Sequence, residues 1–110
     1  MSTQEPPTEF FWNVAKPFLK ARTVKKATMM GFPCLRVQGE FFASCDHRNG
    51  DLIAKLPRDR VSALIESGQG HPFSPAGRVF REWVLVSDRS EKTWESLMTE
   101  AKAFVLSQRK

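Results

Sequence analysis

Two histidines, His47 and His71, are the side chains through which this chain could carry out acid–base or nucleophilic chemistry. Such a centre needs an imidazole within hydrogen-bonding distance of a nucleophile. His47 falls in a predicted hairpin turn and His71 in a predicted loop, where a histidine is usually solvated. Asp46 and Asp51 flank the same turn and are more typical of turn formers than of paired catalytic carboxylates. The sequence therefore predicts no catalytic residues and a protein that is not an enzyme.

A metal or phosphate-bearing cofactor is not indicated either. Two cysteines and two histidines at unmatched spacings do not supply the ligands of a zinc site. Gly68-Gln69-Gly70 follows a predicted helix, whereas a phosphate loop joins a strand to the N-terminus of a helix. We expect no cofactor and no metal.

The two cysteines, Cys34 and Cys45, are expected on neighbouring strands as small, half-buried thiols. A turn at Gly39-Glu40 would place them directly opposite each other, which leaves a redox-sensitive pair open as an alternative. In a reducing cytosol a structural disulfide is the rarer outcome.

Basic residues near the start of the chain are its clearest binding signal. The chain has 17 Lys and Arg against 12 Asp and Glu, a net charge of +5. Between Phe10 and Gly39 lie six cations and no acidic residue, so the remainder holds 11 basic and 12 acidic residues. Solvation explains many such runs, but an anionic partner, nucleic acid above all, is the functional interpretation. The candidate nucleic-acid-binding residues are Lys16, Lys20, Arg22, Lys25, Lys26 and Arg36.

A first helix and a strand must position most of these cations. Apolar residues recur at helical spacing from about Glu9 to Ala21, with Thr8 as N-cap. Pro17 lies inside that pattern and must kink or divide the helix. The stretch from Thr23 to Met30 has strand character.

Three antiparallel strands are predicted from Pro33 to Leu56, with turns at Gly39 and at Asn49-Gly50. Alternation along the strands then defines two faces, which a bulge at either turn would exchange. The face predicted to pack on helices holds Cys34, Arg36, Phe41, Ala43, Cys45, Leu52, Ala54 and Leu56. The other face holds Leu35, Val37, Phe42, Ser44, Ile53 and Lys55.

The second half of the chain is predicted to hold two helices and one strand. A helix follows Pro57 and has Gly68 as its C-cap, and a loop then runs to Gly77. Arg78–Val86 has strand character, and Ser90 caps a long amphipathic C-terminal helix.

The predicted order is α-β-β-β-β-α-β-α, which favours an α+β fold. We expect an antiparallel sheet of about five strands with helices packed mainly on one face. The expected domain organisation is a loose tail over residues 1–8, a single domain over 9–107 and a frayed end over 108–110.

Hydropathy excludes a helical membrane span, because no run approaches roughly 18 apolar residues. The first residues, MSTQEPPTEFFW, lack the basic and apolar regions of a signal peptide. We expect a cytoplasmic protein with no membrane partner.

Several short motifs resemble TfoX amino-terminal-domain-like and MmcQ/YjbR-like proteins, over roughly residues 24–105. The first half of the resemblance rests on Met30-Gly31, on Cys34 to Gly39, on Phe41-Phe42-Ala43 and on Gly50 to Pro57. The second half rests on His71-Pro72-Phe73, Gly77-Arg78, Arg81 to Val84, and the helix with Trp94, Leu97, Ala101 and Phe104.

This resemblance implies a small α+β domain with an antiparallel sheet and no established catalytic residues. Some members carry a DNA-binding label, argued from their likeness to a winged DNA-binding module, and TfoX is associated with competence regulation. Lys55 and Trp83 fall on positions typical of the family, although an amphipathic strand and a core aromatic explain them equally well.

The functional expectation is a non-catalytic interaction or regulatory module with weak, non-specific DNA affinity through the six cations. The alternative is a protein-interaction domain or homodimer. That alternative uses the second sheet face, where Leu35, Val37, Phe42 and Ile53 could form an uncovered apolar patch.

Overall fold

A computed structural model describes residues 7–29, 32–46, 50–74, 77, 80–88 and 90–108 of the chain. These residues form an antiparallel sheet and three helices. The elements are α1 (Pro7–Leu19), β1 (Val24–Met29), β2 (Phe32–Val37), β3 (Glu40–Asp46), β4 (Asp51–Lys55), α2 (Arg58–Ser67), β5 (His71–Phe73), β6 (Phe80–Val86) and α3 (Glu91–Gln108). The six strands lie in the order β1-β2-β3-β4-β6-β5, and neighbouring strands are antiparallel. The predicted α+β fold is confirmed.

The sixth strand, β5, is the element that the sequence did not predict, because it lies inside the predicted loop. It has only three residues and contains Pro72, which lacks a backbone N–H. Proline within a sheet is tolerated at an edge, and β5 forms the edge beside β6.

The first helix begins and ends about two residues earlier than predicted. Pro7 and Thr8 are helical, so the predicted tail is too long and Thr8 is not the N-cap. Proline suits the first turn of a helix, where its missing N–H costs nothing. The helix continues through Pro17 and ends at Leu19, and the amide of Ala21 then donates to the Phe18 carbonyl at 3.2 Å in a tight turn.

All three helices pack on one face of the sheet. Trp94 of α3 is fully buried, and its indole N–H donates to the Asp88 carbonyl at 2.7 Å. Phe11 of α1 and Leu64 of α2 join the same cluster. The sheet side of this core consists of Val24, Leu35, Val37, Phe42, Ala43, Cys45, Leu52, Ala54, Leu56, Val84 and Val86.

Because β3 contains a bulge, part of the predicted assignment of residues to sheet faces is wrong. Leu35 pairs with Ala43, but Arg36 pairs with Phe41, so Phe42 is an extra residue on β3. Phe42 is buried on the helix side, 6.4 Å from Phe18 between ring centroids. The residues that the prediction placed on the wrong face are Cys34, Leu35, Arg36, Val37, Phe41 and Phe42.

The register of β3 with β4 differs from the prediction by two residues. Asp46 pairs with Asp51, so four residues connect the strands in place of a two-residue turn; Asn49 lies outside the described residues. Cys45 pairs with Leu52, whereas the predicted turn would pair it with Ala54. An even shift keeps side chains on their faces, so the predicted core positions beyond the bulge are correct: Ala43, Cys45, Leu52, Ala54 and Leu56.

Two of the predicted helix caps, Gly68 and Ser90, are confirmed. Gly68 has φ 84° and ends α2 in the left-handed conformation, with its N–H donating to the Ile65 carbonyl at 3.1 Å. The Ser90 hydroxyl accepts the Thr93 amide at 3.3 Å before α3. No described helix has the length and hydropathy of a membrane span.

Candidate nucleic-acid interface

The six candidate cations surround β1, the edge strand of the sheet, and together form what we call the basic edge: Lys16, Lys20, Arg22, Lys25, Lys26 and Arg36. Five of them are exposed and Arg36 is half-buried. Because successive strand residues point to opposite faces, Lys25 and Lys26 lie on different sides of β1. The basic edge is therefore one margin of the molecule whose charges are divided between two faces.

Lys25 and Arg36 lie directly opposite each other on β1 and β2. The Arg36 guanidinium donates to the Gly39 carbonyl at 3.0 Å and lies 5.0 Å from the centre of the Phe41 ring. These contacts fix the guanidinium on the sheet face opposite the helices. A pair of adjacent cations thus occupies that face, one of them held against an aromatic ring.

Lys26 lies on the helix side of the same strand. Its ammonium is 5.1 Å from the centre of the Trp12 ring in α1. Lys16 follows Trp12 by four residues and therefore lies on the same side of that helix. Lys16 and Lys26 thus form a second group on the helix side, separated from Lys25 and Arg36 by the sheet.

Lys20 and Arg22 occupy the turn between α1 and β1, at the end of the strand. The Lys20 amide donates to the Pro17 carbonyl at 3.4 Å, so this turn is a direct continuation of the helix. Lys16, Lys20, Arg22 and Lys25 make no ion pair with any residue that the structure describes. Their charges are therefore available to an anion from solvent.

The sheet face opposite the helices, which we call the helix-free face, carries two further residues that sequence reasoning did not assign to a site. Lys55 of β4 pairs with Trp83 of β6, and both are half-buried. Residues paired in register share a face, and Ile53, two residues before Lys55, pairs with Leu85. Phe41, Trp83 and Leu85 lie outside the core cluster, as the described contacts define it.

The predicted apolar patch for a homodimer is not what the structure shows. Leu35, Val37 and Phe42 are 0% exposed and belong to the helix-side core. Ile53 does lie on the helix-free face, but it is also fully buried. Beside such buried residues, that face carries the half-buried Arg36, Phe41, Lys55 and Trp83.

The two cysteines do not form a redox pair in this structure. Cys34 pairs with Ser44 on the helix-free face, whereas Cys45 belongs to the core on the other side. Both thiols are free and buried. Burial raises the pKa of Cys34 to about 11, and the positive charge of Arg36 opposes that rise.

His71 lies in β5 opposite Leu85, at the end of the sheet where Asp46 pairs with Asp51. Burial raises the pKa of the Asp51 carboxyl, the neighbouring Asp46 raises it further, and His71 lowers it. No group of three or more His, Cys, Asp or Glu among the described residues is arranged to hold a metal ion. His47 lies outside the described residues.

A cleft of about 440 Å³ separates the end of α2 from the start of α3. Arg60 lines it, but Glu100 of α3 accepts two hydrogen bonds from that guanidinium at 2.9 and 3.1 Å. The cleft's described lining contains no histidine or cysteine. The positive charge of Arg60 in this cleft is thus already neutralised by the Glu100 carboxylate.

Comparison of the chain with protein-family models, curated proteins and solved structures found no match.

Proposed function

We propose that this protein is a non-catalytic interaction or regulatory module that binds nucleic acid weakly, and without sequence specificity, through the basic edge. The observation that carries the proposal is the pairing of Lys25 with Arg36. Like charges directly opposite on adjacent strands destabilise a sheet, by roughly 0.2–1 kcal/mol. A phosphate bound between the two cations removes that repulsion, so an anionic polymer stabilises the arrangement.

Two further considerations support nucleic acid as the anion. Lys and Arg that neutralise phosphates release counterions, which gives affinity without base recognition. The resemblance to TfoX amino-terminal-like and MmcQ/YjbR-like proteins, some of which carry a DNA-binding label, supports the same function in the cytoplasm. Base-specific reading is not part of the proposal, because α3 lies on the core and no described helix protrudes as a recognition element.

Retention on duplex DNA at low salt tests this proposal. The triple variant Lys20→Glu, Lys25→Glu and Lys26→Glu should lose retention. The control variant Arg58→Glu, Lys92→Glu and Lys102→Glu makes the same change in net charge on α2 and α3, away from β1, and should keep most of it. For the unaltered protein, the logarithm of the affinity should fall with the logarithm of salt by about 0.9 per phosphate contact. Equal losses in both triple variants, or no salt-dependent binding by the unaltered protein, would refute the proposal.

A single substitution, Lys25→Glu, separates binding from folding. Glutamate opposite Arg36 converts a repulsive cross-strand pair into an attractive one, so the free protein should unfold at a higher urea concentration. The same variant should bind duplex DNA more weakly. Loss of binding together with loss of stability would instead assign Lys25 a structural role.

A protein partner, or a second copy of this chain, is the second candidate. It is favoured by Phe41, Trp83 and Leu85, which are half-buried on the helix-free face and outside the core. Sedimentation over a wide concentration range tests for a second copy. A monomer at every concentration would eliminate the homodimer.

A further inference from the structure

We infer that the helix-free face binds single-stranded nucleic acid, with bases stacked on Phe41 and Trp83 and phosphates held by Lys25, Arg36 and Lys55. This inference rests on the proposed function and specifies its ligand and its site. It draws on residues of β4 and β6 that do not belong to the basic edge.

The strand register places these side chains in one row across the sheet. Lys25 lies opposite Arg36, and Arg36 opposite Phe41. On the next two strands of the sheet, Lys55 of β4 lies opposite Trp83 of β6. Phe73 of β5 extends the row, with its ring centroid 6.3 Å from that of Trp83. Three cations and three aromatic rings therefore share one row from one edge of the sheet toward the other.

A second row on the same face is covered by neighbouring groups and closed to solvent. It consists of Cys34, Ser44 and Ile53, each 0% exposed. The Ser44 hydroxyl donates to the Pro33 carbonyl at 2.8 Å, so its polar group is already satisfied. This buried row is closed to a ligand, and recognition falls to the neighbouring row of rings and cations.

The rings of Phe41 and Trp83 are half-buried and lie outside the core cluster, so they can contribute to stacking. Phe41 and Trp83 lie on β3 and β6, two strand spacings apart, which is roughly 10 Å. The Arg36 guanidinium, 5.0 Å from the Phe41 ring, adds a planar cation on which a base can also stack.

Single strands fit this surface and duplexes do not. Bases of a duplex are stacked on each other, so only an unpaired base can lie flat on a ring of a sheet. Proteins that bind single strands combine aromatic platforms with a basic track along the backbone. The row from Lys25 to Trp83 supplies both, which selects single-stranded nucleic acid over the duplex.

Fluorescence anisotropy with a labelled oligothymidylate of about 15 nucleotides, a length suited to single-strand sites, tests this inference against a duplex of equal length. The oligothymidylate should bind more tightly than the duplex at the same salt concentration. Phe41→Leu and Trp83→Leu should each weaken its binding about tenfold, since stacking is worth ~1–3 kcal/mol per base. Neither variant should change binding of the duplex.

Matched variants separate this role from a structural one. Trp83→Phe keeps an aromatic ring and should retain most of the affinity, whereas Phe104→Leu removes a half-buried ring of α3 and should have no effect. Lys55→Gln should weaken binding, and Lys92→Gln, which removes a cation from α3, should not. Circular dichroism confirms that each variant is folded before its binding is measured.

Each contrary outcome has a distinct meaning. If both ligands bind equally and only changes at the basic edge matter, the inference is wrong and the proposed function stands. If neither ligand binds, both are wrong. If Trp83→Leu instead abolishes a concentration-dependent association seen by sedimentation, the helix-free face belongs to a second copy of the chain, which also overturns the inference.

Discussion

At the scale of single residues, Asp46 and Asp51 form an unfavourable pair. They lie directly opposite each other at the ends of β3 and β4. The pKa of Asp51 is raised by burial and by the Asp46 charge. A carboxyl whose pKa is raised on folding binds its proton more tightly in the folded state. Its contribution to stability is therefore present at low pH and lost as the pH rises through the carboxyl range.

Replacing Asp51 with asparagine removes that penalty. Asp51→Asn should increase the free energy of unfolding at pH 7 by roughly 0.2–1 kcal/mol, because it removes a like-charge cross-strand pair. The gain should disappear as the pH falls below the carboxyl range, where both aspartates are protonated. Urea unfolding at several pH values measures this, with the exposed Asp88→Asn as control. A loss of stability at pH 7 would show that Asp51 makes a favourable contact.

The Cys34 thiol should be inert in the folded protein. Its pKa of about 11 leaves little thiolate near neutral pH, and the side chain is fully buried. Thiol-reactive reagents at pH 8 should therefore label the native protein slowly, and both cysteines should react quickly in denaturant. Mild oxidation should give no intramolecular disulfide, because Cys34 and Cys45 lie on opposite faces of the sheet. Rapid labelling of native Cys34 would contradict this structure.

At the scale of elements, the bulge in β3 decides which of two adjacent phenylalanines enters the core. Phe42 is fully buried, whereas Phe41 is half-buried and stacked with Arg36. Phe42→Ala should therefore lower the free energy of unfolding by about 3–5 kcal/mol, as expected for a large buried ring. Phe41→Ala should cost much less. Urea unfolding of the two variants measures the difference in free energy of unfolding. The opposite ranking would indicate a regular β2–β3 register without a bulge.

The same bulge is a feature that the sequence pattern could not predict. The core positions of β4, and those of β3 from Ala43 onward, followed from alternation, and α2 and α3 followed from periodicity and capping. Two adjacent phenylalanines satisfy either face equally well, so the pattern could not locate the extra residue. The short strand β5 carries too weak a signal to be predicted, and the pairing of Lys55 on β4 with Trp83 on β6 is non-local, so alternation could not identify it.

The candidate site was predictable in part for the same reason. The basic edge is contiguous in sequence, so composition alone identified its six residues. The row on the helix-free face combines β1, β2, β3, β4 and β6, and its members become neighbours only through non-local pairing. The residues missed there, Lys55 and Trp83, were visible individually but had no recognisable partner.

At the scale of the whole molecule, positive charge should make stability and binding respond to salt in opposite directions. The net charge is +5, and the exposed cations of the basic edge repel one another. Raising ionic strength screens that repulsion, so the melting temperature should rise between low salt and about 0.15 M. Nucleic-acid binding should weaken over the same range. A falling melting temperature would show that attractive surface pairs, such as Arg60 with Glu100, dominate.

The position of β1 has a consequence beyond binding. Among the described residues no strand lies beside its outer backbone groups, and an unpaired strand margin is a template onto which another polypeptide can add. The charges of Lys25 and Lys26 on β1 disfavour the addition of another strand there. Acetylation of both lysines would thus do more than release a bound polyanion. It would leave the edge strand β1 without these two charges, and the protein would then be prone to self-assembly by backbone hydrogen bonding between edge strands.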